Sequence, residues 1–125
     1  MNIIKSFNEY KNSINLVLSN ILEKDLNKTI DMIKLTIKKK GKIYIVGNGG
    51  SSSIASHVSV DFAKVAKVPS STFNNANLIT CFANDYGYAN WVTEAIKCYT
   101  NKNDMIILIS SSGKSINIVN AAKYC

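Results

Sequence analysis

An α/β fold with a doubly wound parallel sheet is the architecture this sequence predicts, and three observations carry the prediction. Short β-branched runs alternate with longer stretches of helical apolar spacing, the pattern of strands joined by crossover helices. Two of those runs, Lys42-Ile-Tyr-Ile-Val and Met105-Ile-Ile-Leu-Ile, each break into a Gly/Ser loop that leads into a helix-like segment. Finally, 125 residues with 46% apolar content suit one domain, with long apolar runs that argue against disorder.

The elements follow in chain order. Ile3, Phe7, Tyr10, Ile14, Val17 and Ile21 recur at spacings of three and four, which predicts a helix over 2–22. Leu26, Ile30, Ile33 and Ile37 form a second stripe, closed by Lys38-Lys39-Lys40 and Gly41, cations suiting a helix C-terminus. Ile43–Val46, bounded by glycines, reads as a buried strand. Ile54, Val58, Phe62 and Val65 predict a helix from about Ser52 to Lys67, and Pro69 lies beyond its end. Ser70–Phe73 is read as a second strand and Ala76–Phe82 as a short helix. Asn84-Asp-Tyr-Gly-Tyr88 reads as a turn. A helix over 89–100 places Trp91, Ala95 and Cys98 on one side. Asp104–Ile109 is the third strand, and a final helix starts near Ser115. Three strands are fewer than the five or six or so of a typical sheet, so a C-terminal part of the domain is expected to be missing from the chain.

Composition removes several classes. No apolar stretch approaches the roughly 18 residues of a membrane span, and the N-terminus has no signal-peptide pattern. A cytoplasmic protein with no membrane partner is expected. Cys81, Cys98 and Cys125 lack metal or disulfide spacing and are read as reduced, partly buried thiols. The charge is +7, and all fifteen basic residues are Lys. Without Arg there is no bidentate fork for guanine or phosphate, and no nucleic-acid partner is expected.

The first loop, Gly47-Asn-Gly-Gly-Ser-Ser, fails as a dinucleotide fingerprint because Ser52 stands where the third glycine belongs. The second contains Gly113-Lys114-Ser115, but a nucleotide P-loop needs glycine at Leu108. What remains is a cluster of hydroxyls, Ser110, Ser111, Ser112 and Ser115, beside helix-start amides that suit phosphate oxygens. A serine-rich turn with a Ser cap is the plainer reading of the same residues. His57, the only histidine, shares a helix face with Asp61 four residues on. That pair is either a hydrogen-bonded helix-face pair, two ligands for a divalent metal, or a base with its partner.

Gly47-Asn-Gly-Gly-Ser51, His57 with Asp61, Ala83-Asn-Asp-Tyr-Gly-Tyr88 and Ile109-Ser-Ser-Ser-Gly-Lys-Ser115 resemble, in order and spacing, the phosphoheptose isomerases of the sugar-isomerase (SIS) fold group. The chain looks like the N-terminal two-thirds of such an enzyme. The resemblance implies a three-layer, flavodoxin-like α/β domain over 41–125, partial here, after an N-terminal helical segment over 1–40 that serves packing or oligomerisation. It implies an aldose–ketose isomerase that converts sedoheptulose 7-phosphate to D-glycero-D-manno-heptose 7-phosphate for bacterial surface polysaccharide. It also implies zinc as cofactor, a phosphorylated heptose as substrate and a homotetramer.

By the same resemblance Ser110, Ser111, Ser112 and Ser115 hold the phosphate, while Asn48, Gly49, Gly50, Ser51, Asn84 and Asp85 line the sugar. His57 and Asp61 are metal ligands, and Asp61 takes the place of a catalytic glutamate. That carboxylate sits about one C–C bond, roughly 1.5 Å, nearer the backbone than the family's. The family's remaining ligands, a glutamine and a histidine, lie on a C-terminal helix beyond Cys125. A non-catalytic SIS-type module that binds a phosphosugar or a protein is therefore the alternative expectation.

Overall fold

The computed structural model describes residues 3–125. It divides into two compact units, one ending at Met32 and the other running from Ile33 to Cys125. In the first, helix α1 (Ile3–Ser19) forms within the predicted span 2–22 but ends before Ile21, and position 2 lies outside the described residues. Its stripe residues Ile3, Phe7, Tyr10, Ile14 and Val17 are exposed. The chain then turns through Asn20–Leu22 into α2 (Glu23–Lys38), whose first turn carries Glu23 and Asp25, acids that favour a helix N-terminus.

The second unit begins within α2. That helix ends by a Schellman-type closure in which the Gly41 amide donates to Thr36 O (2.9 Å) and the Lys40 amide to Ile37 O (2.9 Å). Lys40, rather than Gly41, takes the left-handed conformation (φ 58°). Strand β1 (Ile43–Gly47) follows, then α3 (Gly50–Lys64), β2 (Ser70–Ser71), α4 (Ala76–Tyr86), α5 (Trp91–Tyr99), β3 (Met105–Ile109) and α6 (Ile116–Tyr124). The sheet is parallel in the order β2-β1-β3, the α/β fold expected.

Both faces of the sheet are covered, as the period-two alternation of β1 requires. Tyr44 and Val46 face a cluster of Phe73, Trp91, Val92, Ile96 and Ile118, with Ile106 and Leu108 of β3 beside them. Ile43 and Ile45 face Ala55 and Val68, joined by Ile33, Val58 and Phe62 and by Met105, Ile107 and Ile109. Helices α4, α5 and α6 thus line one face, and α3 with the end of α2 the other. Every residue of β1 is buried, whereas all five of β3 are half-buried.

Three local readings are corrected. The second strand shrinks to Ser70–Ser71, because Phe73 leaves the strand for the core. Asn84, Asp85 and Tyr86 are not a turn but the last turn of α4. Asn75 caps that helix through its side chain, accepting from the Asn77 and Leu78 amides. The Phe82–Tyr86 ring contact (5.8 Å) supports the extension until Gly87 (φ 79°) stops it. The three cysteines are free but exposed rather than partly buried. On α5 the buried stripe is Trp91, Val92, Ala95 and Ile96, which turns Cys98 outward.

Tyr44 stacks on Phe73 (5.0 Å between centroids) and donates its hydroxyl to Tyr99 O (2.9 Å). Burial, and then the Asp104 carboxylate, raise its phenol above the ordinary 10.0. A raised folded-state value means its stabilisation is complete below pH 10 or so and is lost as pH climbs through the raised value. Tyr44→Phe is expected to cost about 1 kcal/mol near neutrality and to flatten the alkaline decline of stability. Thermal unfolding of both proteins from pH 7 to 11 checks it; identical alkaline slopes would contradict the assignment.

Candidate functional site

The two Gly/Ser loops leave the same end of the sheet side by side. Gly47, the last residue of β1, lies in register with Ile109, the last of β3. Asn48 and Ser110 therefore depart from neighbouring carboxyl ends, where open α/β sheets bind ligands. In the first loop a Cβ on Gly47 would sit 2.8 Å from Ser51, so only glycine lets α3 start this close to the strand. Gly49 adopts φ 51°, ψ −122°, a conformation that side-chain-bearing residues rarely take. These constraints set the Ser51 amide on Asn48 O (2.9 Å) and the Ser52 hydroxyl on Gly49 O (2.7 Å).

The second loop is organised by its hydroxyls. Ser110 Oγ accepts from the Gly113 amide (3.2 Å), and Ser112 Oγ accepts from the Lys114 amide (3.2 Å). An oxygen that accepts in this way keeps its own O–H for an outside acceptor. Ser115 occupies the cap position of α6 but makes no side-chain cap bond, so the plain N-cap reading of its hydroxyl does not hold. Ser110 and Ser115 are half-buried, and Ser111 and Ser112 exposed. The loop offers hydroxyl donors and the unpaired first-turn amides of a helix, which together suit an anionic oxygen cluster.

One side-chain network joins the segments. Asn48 Nδ2 donates to Asn117 Oδ1 (2.9 Å), and Asn117 Nδ2 returns a bond to Asn48 Oδ1 (2.9 Å). The Tyr88 hydroxyl also donates to Asn48 Oδ1 (3.3 Å). The sequence pattern had pointed to Asn48 but not to Asn117 or to this contact of Tyr88. The available signal was a polar residue beside Ile118 in the buried stripe of α6. Asn74, after β2, was also missed; it reaches Ser52 O (2.6 Å) and Ser56 Oγ (3.2 Å) on α3.

The other expected residues stand apart. Asn84 Nδ2 donates to Asp85 Oδ1 (2.9 Å), and Cys81 Sγ lies 3.8 Å from Asp85 Oδ2, all on exposed positions of α4. His57 Nε2 lies 3.4 Å from Asp61 Oδ2 on α3, with side chains 80% and 54% exposed. No hydrogen bond or ion pair among the described residues links either pair to the two loops. A cavity of about 840 Å³, lined by Tyr44, Phe73, Leu78, Phe82 and Tyr99 among others, contains none of the expected site residues.

Residues 9–125 match the SIS domain family. A phosphoheptose isomerase of Cytophaga hutchinsonii is 33% identical over 86% of this chain and 61% of its own length. One from Aliarcobacter butzleri is 31% identical over 97% of this chain and 67% of its own. The chain belongs to the phosphoheptose isomerase family of SIS domain proteins. A phosphoheptose isomerase of Helicobacter pylori is 32% identical, covering 95% of this chain and 65% of its own length. The chain thus spans between 61% and 67% of the length of these three relatives. The fold agrees: phosphoheptose isomerase GmhA of Neisseria gonorrhoeae superposes with a TM-score of 0.84 at 23% identity, over 96% of this chain and 66% of that one. A phosphoheptose isomerase of Francisella tularensis gives 0.85 at 22%, over 99% and 70%.

The zinc that the family resemblance implies finds two candidate donors in this chain. His57 and Asp61 offer two, close together and accessible, yet structural and catalytic zinc sites take at least three protein ligands. Among the described residues no group of three or more His, Cys, Asp or Glu side chains could hold an ion. These residues fit part of a zinc site and do not complete one.

Proposed function

We propose that this SIS domain binds a phosphorylated heptose as part of an aldose–ketose isomerase that interconverts sedoheptulose 7-phosphate and D-glycero-D-manno-heptose 7-phosphate. The observation that carries the reading is the pair of adjacent strand-end loops, one bearing serine hydroxyls free to donate. The family supplies the substrate class. Ser110, Ser111, Ser112 and Ser115 hold the phosphate, at about 1.5–3 kcal/mol per charge-assisted bond. Asn48, Gly49, Gly50, Ser51, Asn84 and Asp85 receive the sugar, and anchoring the far phosphate orients the reacting carbons.

Asp61 is the carboxylate proposed to take the proton from the carbon beside the carbonyl and return it to the neighbouring carbon through an enediol. His57, 3.4 Å away, is its partner and, with it, two ligands of a proposed zinc site whose other ligands lie outside these residues. A cytoplasmic homotetramer serving surface-polysaccharide synthesis belongs to the same proposal; the exposed apolar stripe of α1 supports subunit packing.

Calorimetric titration of the 125-residue chain with sedoheptulose 7-phosphate tests the binding claim, and absence of a binding heat would overturn it. The exposed Asp61, one methylene shorter than glutamate, favours a second reading as a non-catalytic phosphosugar-binding module. Asp61→Glu separates the two in a turnover assay with zinc present, made in a protein that also carries the remaining proposed zinc ligands. A gain of about a hundredfold identifies a weakened enzyme, and no gain a binding module.

A further inference from the structure

We infer that Asn117 is a positioning residue for the proposed phosphosugar site: it orients the Asn48 amide so that Asn48 meets the ligand as a donor only. The inference rests on the phosphosugar reading and deepens it. Asn117 is 1% exposed and lies beside Ile118 and Ala121 on the buried face of α6. An amide in that setting is costly unless bonded, and both of its side-chain polar atoms are bonded to Asn48.

The consequence falls on Asn48. Its Oδ1 has two lone pairs, and Asn117 Nδ2 and the Tyr88 hydroxyl occupy both. Its Nδ2 has two protons, of which one goes to Asn117 Oδ1. One N–H therefore remains for a ligand, and no acceptor. Asn48 is half-buried, at the mouth of the loop, so that proton is available to a carbonyl or hydroxyl oxygen of a sugar. The pair also spans the gap between the loops, because Asn117 is the second residue of the helix that leaves Ser110–Ser115. Exchanged amide bonds fix the distance from the phosphate anchor to Asn48 and make that distance a property of the ligand the site accepts.

The test compares two probes on the same chain. Sedoheptulose 7-phosphate reaches both loops, whereas inorganic phosphate reaches the serine loop alone. Asn117→Leu keeps the branched shape, with somewhat more bulk, and removes the reciprocal bonds. It is expected to raise the Kd for the sugar phosphate about tenfold, the equivalent of one hydrogen bond of ~1.4 kcal/mol, while the Kd for phosphate stays within about twofold. Equal weakening of both probes would mark Asn117 as a mere staple of the serine loop and overturn the inference, as would no change in either. If the wild-type chain binds neither probe, the phosphosugar reading fails, and that outcome is distinct from a wild type that binds and a variant that does not discriminate. Should the leucine variant not fold, Tyr88→Phe, at a side chain that is exposed, supplies the same comparison with an expected change of a few-fold for the sugar phosphate only. Side-chain amide ¹⁵N spectra of the wild type give an independent reading. Slow proton exchange at Asn117 and at one proton of Asn48 supports the arrangement, and rapid exchange at both residues overturns it.

Discussion

Replacing Ser110 and Ser112 together by alanine is expected to weaken sedoheptulose 7-phosphate binding by about a hundredfold or more while leaving the fold intact. Each hydroxyl oxygen already accepts a loop amide, so its proton is left for an outside acceptor and its loss removes the proposed donor to phosphate. Two charge-assisted bonds at about 1.5–3 kcal/mol each amount to at least two decades of affinity. The stability change is expected to be modest, about 0.5–1.5 kcal/mol per site, the loss of one loop hydrogen bond each. Calorimetry gives the affinity, and a thermal melt shows that the variant is folded. Ser13→Ala on α1, where the hydroxyl donates only to Glu9 O, is the control that changes neither. Unaltered affinity in the double variant would return the serine cluster to the status of a turn.

The parts of this molecule that were readable from sequence are those whose cause is local. Ile43–Val46 and Met105–Ile109 are short apolar runs with turn residues at their ends, and no helix of that length would be stable. The glycines of the first loop mark a backbone that side chains cannot follow, and the structure finds the close approach at Gly47 and the positive φ at Gly49. Segment 84–86 was less legible, because Asn-Asp-Tyr-Gly has turn chemistry in isolation. The Phe82–Tyr86 contact, which depends on where α4 packs, carries the helix through it. Cys98 followed the same logic: its exposure depends on which face of α5 meets the sheet, and Val92 with Ile96 decides that.

The site divides along the same line. Its two loops announce themselves by composition, but the joint between them does not. Asn48 and Asn117 are 69 positions apart, and neither looks unusual until the register Gly47↔Ile109 sets their loops side by side. His57 and Asp61 were legible as a pair because four residues is one helical turn. Their exposure was not, since it follows from α3 burying Ala55 and Ser59 instead.

Trp91→Ala is expected to be the most destabilising single change in the core, at about 3–5 kcal/mol. A domain of this size has roughly 5–15 kcal/mol in all, so the variant is expected to be partly unfolded at 37 °C. Trp91 is 1% exposed and packs with Tyr44, Phe73 and Ile118 in one cluster. Trp91→Phe is the sharper comparison. The indole Nε1–H is buried without a partner among the described residues, and an unsatisfied buried donor costs about 1–3 kcal/mol. Phenylalanine removes that donor along with some volume, so the two effects offset and the net cost is expected to stay below about 1.5 kcal/mol. Urea unfolding of the three proteins measures both numbers, and a phenylalanine variant as unstable as the alanine one would refute the offset. The change also reaches the site without touching it. Tyr88 rests against Trp91 (6.5 Å between centroids) and holds Asn48 through its hydroxyl. Loss of the indole frees Tyr88, and with it one lone pair of Asn48, so sugar-phosphate affinity is expected to fall a few-fold in whatever fraction remains folded.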